Sequence, residues 1–207
     1  MRIHPEGTAF IIGSALLTLL SYIINQNLGN LFLLTTLFVV YFFRNPKRIM
    51  PDDENLMVSP ADGIIIDISE DKAPQEDETY QRISIFLRVW DVHVIRIPFK
   101  GKVTKKEHKR GSFAHAETKK ALENNENLSL KIEGKAIYHV RQVAGMIARR
   151  IVCYCENGDS VKTGERYGII KFGSRVDLYL PKNVKIFVKK GQTMVGGETV
   201  IGKVLDQ

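Results

Sequence analysis

Two uncharged apolar runs open the chain, AFIIGSALLTLLSYII at residues 9–24 and LFLLTTLFVVYFF at residues 31–43. Between them lies NQNLGN, whose Asn and Gly residues read as a turn. The runs are 16 and 13 residues long, so as helices they would extend roughly 20–24 Å. A full bilayer crossing takes about 20 residues. The pattern therefore predicts a short membrane-associated helical hairpin over residues 1–50, tilted or embedded from one side. From Pro51 onward the pattern changes to short strands broken by Gly, Pro, Asn and Asp. LMVSPADGIIIDI reads as strand, turn and strand, and YQRISIFLRVWDVHVIRIPFKGKV as a longer strand region with bends at Asp91 and Pro98. LSLKIEG, KAIYHVRQV and MIARRIVCYC return to strand pattern, whereas ETKKALENNEN at 117–127 offers a helical turn or two. Absence of βαβ alternation and of a Gly-rich loop entering a helix argues against a doubly wound nucleotide-binding fold. The expected fold class is mainly β over residues 51–207.

An echo in the tail refines that picture. GDSVKTGERYG at 158–168 and GQTMVGGETVIG at 191–202 both place a Gly-Glu pair six residues after a first Gly. Glycines at such offsets mark tight turns between short strands. Together with SPADGII, the echo resembles the twisted double-sheet architecture of biotinyl and lipoyl carrier domains. The lysine-bearing hairpin of a carrier is not evident, so carrier chemistry stands only as an alternative.

Charge adds a direction to the hairpin. The formal net charge is +7; Arg2 flanks the first apolar run, and Arg44, Lys47 and Arg48 flank the second. Basic flanks on one side place both ends of the hairpin, and the domain after it, on the cytoplasmic face of the cell membrane. KKEHKR at 105–110 has no aromatic interleaving or recognition-helix pattern, so an anionic lipid surface accounts for it better than nucleic acid does. Two cysteines, Cys153 and Cys155, are too few for a disulfide framework and form no zinc signature, and they read as reduced thiols with no metal expected.

Candidate chemistry is sparse. Asp62 lies in the SPADG turn, where an aspartate can simply bond its own backbone. His93 lies in the apolar stretch WDVHVIRIP, with Asp91 two positions earlier on the same strand face and able to bias its proton placement. Ser174 follows Gly173 in GIIKFGSRVDLYLP, between two strands and without the G-x-S-x-G setting of a hydrolase nucleophile. His4, His108, His115 and His139 form no metal pattern with it.

In order along the chain stand FFRNPKR, SPADG, RISIFLRVWDVHVIRIPFKG, KRGSFAHAETKKALENNEN, QVAGMIARRIVCY and GERYGIIKFGSRVDLYLP. Their combination resembles the short form of the phosphatidylserine decarboxylase proenzymes. The resemblance implies that the Gly173–Ser174 bond cuts itself, giving chains 1–173 and 174–207 that stay together. The Ser174 hydroxyl would attack the Gly173 carbonyl, and elimination and hydrolysis would leave a pyruvoyl group at 174. A serine phospholipid would then lose its carboxylate through a Schiff base to that group, giving phosphatidylethanolamine and carbon dioxide. Catalytic positions implied are Ser174, Gly173, His93 and Asp62, with an aspartate–histidine–serine arrangement serving the cut and His93 handling protons in decarboxylation. Arg96 stands where longer relatives carry a second histidine, which leaves open the base for the cut. The resemblance also implies a homodimer and places the GSFAHA…ENNEN loop near the site, with Ser112 as the other soluble Gly-Ser serine. An archaeal ether-lipid substrate with the same headgroup, a non-catalytic carrier-like domain and a membrane-bound serine hydrolase are the rival expectations.

Overall fold

The computed structural model describes residues 2–74, 76–113, 124–145, 150–171 and 174–205. The chain forms two compact units, one up to Lys47 and one from Arg48. In the first, β1 (Arg2–Ile3) pairs with β2 (Arg44–Asn45) at the base of two helices, α1 (Thr8–Ile24) and α2 (Gln26–Phe42). The turn between the helices is tighter than NQNLGN suggests. Only Asn25 leaves the helical path, and its side chain caps α2 by accepting from Asn27 N at 2.8 Å and Leu28 N at 3.2 Å. α2 gains its first turn from that economy, and each helix, at 17 residues, extends about 25 Å. Their contact is made by small and polar groups: the Thr18 and Thr36 hydroxyls meet at 2.9 Å, and Gly29 lies flat against the Tyr22 ring. Leu19, Leu20, Ile23, Ile24, Leu31, Leu34 and Leu37 face outward. Polar groups inside and apolar groups outside invert the order of a water-soluble helix pair and suit hydrocarbon. The helical stretch Pro5–Ile24, 20 residues with mean hydropathy 1.9, is long and apolar enough to cross a membrane.

The second unit is mainly β, in agreement with the sequence expectation. Its strands are β3 (Leu56–Val58), β4 (Gly63–Lys72), β5 (Thr79–Leu87), β6 (Val94–Arg96), β7 (Gly101–Lys109), β8 (Asn127–Glu133), β9 (Ile137–Ala144), β10 (Ile151–Cys153), β11 (Ser160–Val161), β12 (Arg166–Ile170), β13 (Ser174–Leu180), β14 (Val184–Ile186), β15 (Thr193–Met194) and β16 (Val200–Val204). Among the described residues, one antiparallel sheet runs β11-β7-β8-β9-β13-β5-β4-β15, and two smaller sheets run β10-β12-β6 and β14-β16-β3. Strand alternation explains the core. Ile83, Ile85 and Leu87 on β5, Val176, Leu178 and Leu180 on β13, and Tyr138 and Val140 on β9 point to one face. They meet Ile95, Tyr167, Ile170, Ile201 and Val204 from the smaller sheets. Register shifts at Ile65/Asp67 and Val103/Lys105 break the regular pairing of the large sheet near both edges, where bulges bend and twist a strand.

The tail echo is structural. Gly158 and Gly191 open the two copies at φ +98° and +85°, and Gly164 and Gly197 follow at +75° and +81°. Each needs a backbone shape that side-chain-bearing residues rarely adopt. The turn bonds repeat as well: Asp159 N to Glu156 O matches Gln192 N to Lys189 O, and Glu165 N to Lys162 O matches Glu198 N to Val195 O. The first copy supplies β11 to β7 and β12 to β6; the second supplies β15 to β4 and β16 to β3. The strands they dock on are joined by matching turns, Ser59-Pro60-Ala61-Asp62-Gly63 and Ile97-Pro98-Phe99-Lys100-Gly101. Asp62 thus occupies the place that Lys100 holds in the other half.

The outward side of β13 is polar yet buried. Asp177, at 0% exposure, accepts from Ser84 Oγ at 2.7 Å and Arg141 Nη2 at 2.9 Å and pairs with Arg175 Nε at 2.9 Å. Burial alone would raise this carboxyl; Arg141 and Arg175 more than offset it and hold it below the ordinary aspartate value. Asp177→Ala would leave two guanidinium groups facing a void. We expect a loss of about 3–5 kcal/mol in unfolding free energy, read by denaturant titration; a loss near zero would show that the pairs contribute nothing net.

Candidate active site

Ser174 is the first residue of β13 and sits in the middle of the large sheet, paired with Leu87 of β5 and Ala144 of β9. Its side chain shares the inward face with Val176 and Leu178. It is 0% exposed, and its Oγ has no hydrogen-bond partner among the described residues. A buried unpaired hydroxyl is uncommon and costs about 1–3 kcal/mol. Gly173, the other half of the implied cut, lies outside the described residues.

The chain leaves β5 at Leu87, loops through 88–93 and returns as β6. That loop is tied by Asp91, whose carboxylate accepts from Arg88 N, Nε and Nη2, each at 2.9 Å. Here the structure specifies how Asp91 acts on His93. The Asp91 group next to His93 is the main-chain carbonyl, 2.9 Å from Nδ1, because Arg88 occupies the carboxylate. A carbonyl only accepts, so Nδ1 carries the proton and Nε2 is the basic nitrogen of the neutral ring. His93 is fully buried. Its own carbonyl accepts from Ile170 N at 3.2 Å, and the next residues pair Val94 with Ile169. The histidine therefore lies beside the segment that leads into Ser174.

Asp62 reaches the same end of the sheet by another route. Ile64 and Arg175 both face Phe86, so Gly63, Leu87, Ser174 and Ala144 fall in one row across four strands. Asp62 is one step past that row, with its backbone about two strand spacings, roughly 10 Å, from Ser174. Its carboxylate accepts from Arg48 Nη2 at 2.9 and 2.7 Å and from Gly196 N at 2.7 Å. Asp62 and His93 are thus not paired directly. Arg96 joins the Asp62 end, with its N bonded to Pro60 O and its Nη1 to Gly164 O at 2.9 Å. Burial, then the nearby charges of Arg166 and Arg48, lower its pKa to about 10, against the pull of Asp62 and Glu198. It stays charged at neutral pH.

The described part of the 112–127 loop also belongs here. Asn125, fully buried, donates from Nδ2 to Ala144 O at 2.7 Å, and Ala144 N donates to Glu126 O at 2.9 Å. The loop is stapled to the residue that pairs with Ser174. Ser112 is exposed and donates to Asn124 O at 3.1 Å, so it lacks the burial that marks Ser174. His115 lies outside the described residues. His108 pairs with Glu126 on the surface at 3.0 Å. His139 faces the outer side near Glu76, where burial lowers its pKa to about 4. His4 belongs to the helical unit. Cys153 and Cys155 are free thiols.

Sequence reasoning missed Arg48, Asn125 and Gln142. The first two are defined by partners 14 and 19 residues away, which no local pattern reveals. Gln142 left a signal: it follows Tyr138 and Val140 at alternate positions and so is a polar residue on an inward step. It is 0% exposed, and neither end of its carboxamide has a hydrogen-bond partner among the described residues.

A sequence model of the phosphatidylserine decarboxylase family matches residues 35–202. The chain is 49% identical over 206 residues to the phosphatidylserine decarboxylase proenzyme of Rickettsia akari (strain Hartford), covering 96% of this chain and 89% of that one. It is 46% identical over 209 residues to the proenzyme of the same name from Ehrlichia ruminantium (strain Gardel), covering 99% and 92%. The proenzyme of Rickettsia felis is 48% identical over 206 residues, covering 96% and 89%. With this similarity running nearly end to end, the chain belongs to the phosphatidylserine decarboxylase family.

Proposed function

We propose that this protein decarboxylates phosphatidylserine to phosphatidylethanolamine, using a pyruvoyl group that it makes from its own Ser174. The observation that carries the reading is the Ser174 hydroxyl: fully buried, unpartnered among the described residues, and held at the head of the central strand. A hydroxyl with no structural bond to make is available to react. In the proposed cut, Ser174 Oγ attacks the Gly173 carbonyl carbon and the amide C–N bond breaks, giving an ester and a free amine. Loss of the Ser174 α-proton expels the Gly173 carboxylate and leaves dehydroalanine. One water then replaces the nitrogen, which departs as ammonia.

The surroundings fit the product. Leu87 and Ala144 on either side are uncharged and of modest size, and the place is closed to water. A pyruvoyl group there supplies an electrophilic ketone that can take up the electron pair left by a departing carboxylate. His93, with Nδ1 fixed by the Asp91 carbonyl, offers Nε2 to take or return a proton. The Asp62 carboxylate balances Arg48 and Arg96 at the end of the sheet; without it two buried cations would repel each other. Incubating the purified protein with phosphatidylserine vesicles tests the activity. Equimolar carbon dioxide and phosphatidylethanolamine are expected, and conversion of neither lipid nor an ether-linked phosphoserine lipid would sink the reading.

The helical unit serves as the membrane anchor in this reading, with the β unit on the cytoplasmic side. Its outward leucines and isoleucines support an embedded hairpin over a charge-bound one. High-salt washing of membranes should therefore leave the protein in the pellet, and detergent should release it. Release by salt alone would mean that basic residues, not the hairpin, hold it there.

A further inference from the structure

Ser174 and Gln142 are the inward-facing polar side chains of two neighbouring strands. Ser174 pairs with Ala144, and two residues along, Val176 pairs with Gln142. Paired residues share a face, so the hydroxyl and the carboxamide point to the same side of the sheet and stand in a diagonal relation. Diagonal neighbours are about 7–8 Å apart at the backbone, within reach of a long side chain. Leu128, the partner of Gln142 on β8, and Val140 make the rest of this surface apolar. Opposite it, across the core, is Gly168 of β12, where a Cβ would come within 3.1 Å of Gln142 Nε2. Glycine at that place is demanded first by the Val152 carbonyl, which a Cβ would strike, and also leaves room for the carboxamide.

Nothing structural explains the amide. A leucine or methionine would fill the same volume without burying two polar atoms, and burying them unbonded is expensive. Ser174 has the same unsatisfied character, and among the described residues the two do not bond each other. Two unmet hydrogen-bonding groups on one face make sense together if the partner of the amide is created later. Resting on the self-processing reading above, we infer that the Gln142 carboxamide holds the group formed at position 174, donating a hydrogen bond to the ketone oxygen that water brings to the α-carbon as the nitrogen leaves. The cut frees residue 174 from the peptide bond to Gly173, so its new carbonyl can turn toward β9. An amide donor polarises a ketone without adding a charge to a buried site, where a lysine or arginine would need its own counterion. Gln142 is a positioning residue for the ketone, and proton transfer remains with other groups.

The test uses the full-length chain in detergent, in two backgrounds. Gln142→Met keeps the side-chain length and removes both polar ends. In the uncuttable Ser174→Ala chain, Gln142→Met should leave the melting temperature unchanged or raise it, since the amide has no partner to lose. In the cuttable chain, label from isotopic serine places the 174 ketone in an infrared difference spectrum. Its stretch should move to higher wavenumber in Gln142→Met, and borohydride capture of the ketone in the presence of a serine lipid should fall at least tenfold. Gln142→Asn, with the donor drawn back by one methylene, should fall between. A lower melting temperature in the uncuttable background would give the amide a structural bond and overturn the inference. So would an unshifted ketone stretch. An uncut wild-type chain would bring down the self-processing reading and this inference with it, whereas normal wild-type cutting with an indifferent Gln142→Met removes the inference alone.

Discussion

Ser174→Ala protein is expected to migrate as one full-length chain on a denaturing gel, and the wild-type protein to yield a large and a small fragment. This is the largest effect expected of any single change, because alanine has no hydroxyl to begin the acyl shift. Two bands alone do not identify the chemistry, since a stray protease acting at the same bond would also give them. Mass separates the two. Replacing the N-terminal amine and alcohol of serine by a pyruvoyl ketone removes the elements of ammonia, about 17 Da. The small chain should also resist amino-terminal sequencing, having no free amine. Folding is not at issue in this variant: Ser174 Oγ makes no hydrogen bond among the described residues, and alanine keeps the backbone pairing with Leu87 and Ala144. A small chain with an ordinary serine terminus, or lipid decarboxylation by uncut Ser174→Ala protein, would refute the pyruvoyl reading.

His93→Ala and Asp62→Ala are expected to fail at separable stages. His93→Ala removes the basic Nε2 beside the segment leading to Ser174, and turnover by the cut fraction should fall by about 10²–10⁴-fold. Asp62→Ala leaves Glu198 to balance Arg48 and Arg96 without the Asp62 charge and removes the acceptor of Gly196 N, which disturbs the end of the sheet from which Ser174 would react. Its cutting should slow at least tenfold, and Asp62→Asn, which keeps an acceptor for Gly196 N but drops the charge, distinguishes electrostatics from turn geometry. Cutting and turnover are scored separately, by gel and by lipid product per small chain. A variant normal in both would remove its residue from the site. His93→Ala that cuts at the normal rate but does not turn over would assign the base for the cut to another group.

Local pattern carried the apolar hairpin, the strand-rich remainder and the tail echo, because each depends on spacing within a few residues. The start of α2 was misjudged for a physical reason. Asn25 satisfies two of the free N–H groups of α2 with one side chain, so a single residue does the work of a six-residue turn. The Asp91–His93 spacing pointed to a real contact, and the structure shows which oxygen makes it: the main-chain carbonyl, since Arg88 takes the carboxylate at three residues' distance. The surroundings of Asp62 were illegible: Gly196 is 134 positions away, and only the pairing of β15 with β4 and β16 with β3 brings it there. Gln142 was legible in principle, as a polar residue at an inward step of a strand, but its meaning depends on the register between β9 and β13.

The central position of β13 sets how the mature protein ages. A chain beginning at 174 has its first strand clasped between β5 and β9, its last between β14 and β3, and β15 along β4. Such a fragment cannot be exchanged for a fresh one while the sheet stands; it leaves only when the whole sheet unfolds. On the self-processing reading proposed above, each molecule accordingly receives one prosthetic group at its birth and keeps that one until it is degraded. A group spoiled by a side reaction has no replacement, and the damage is permanent for that copy. Capacity for lipid conversion in the cell is then renewed by synthesis of new chains, never by reloading old ones.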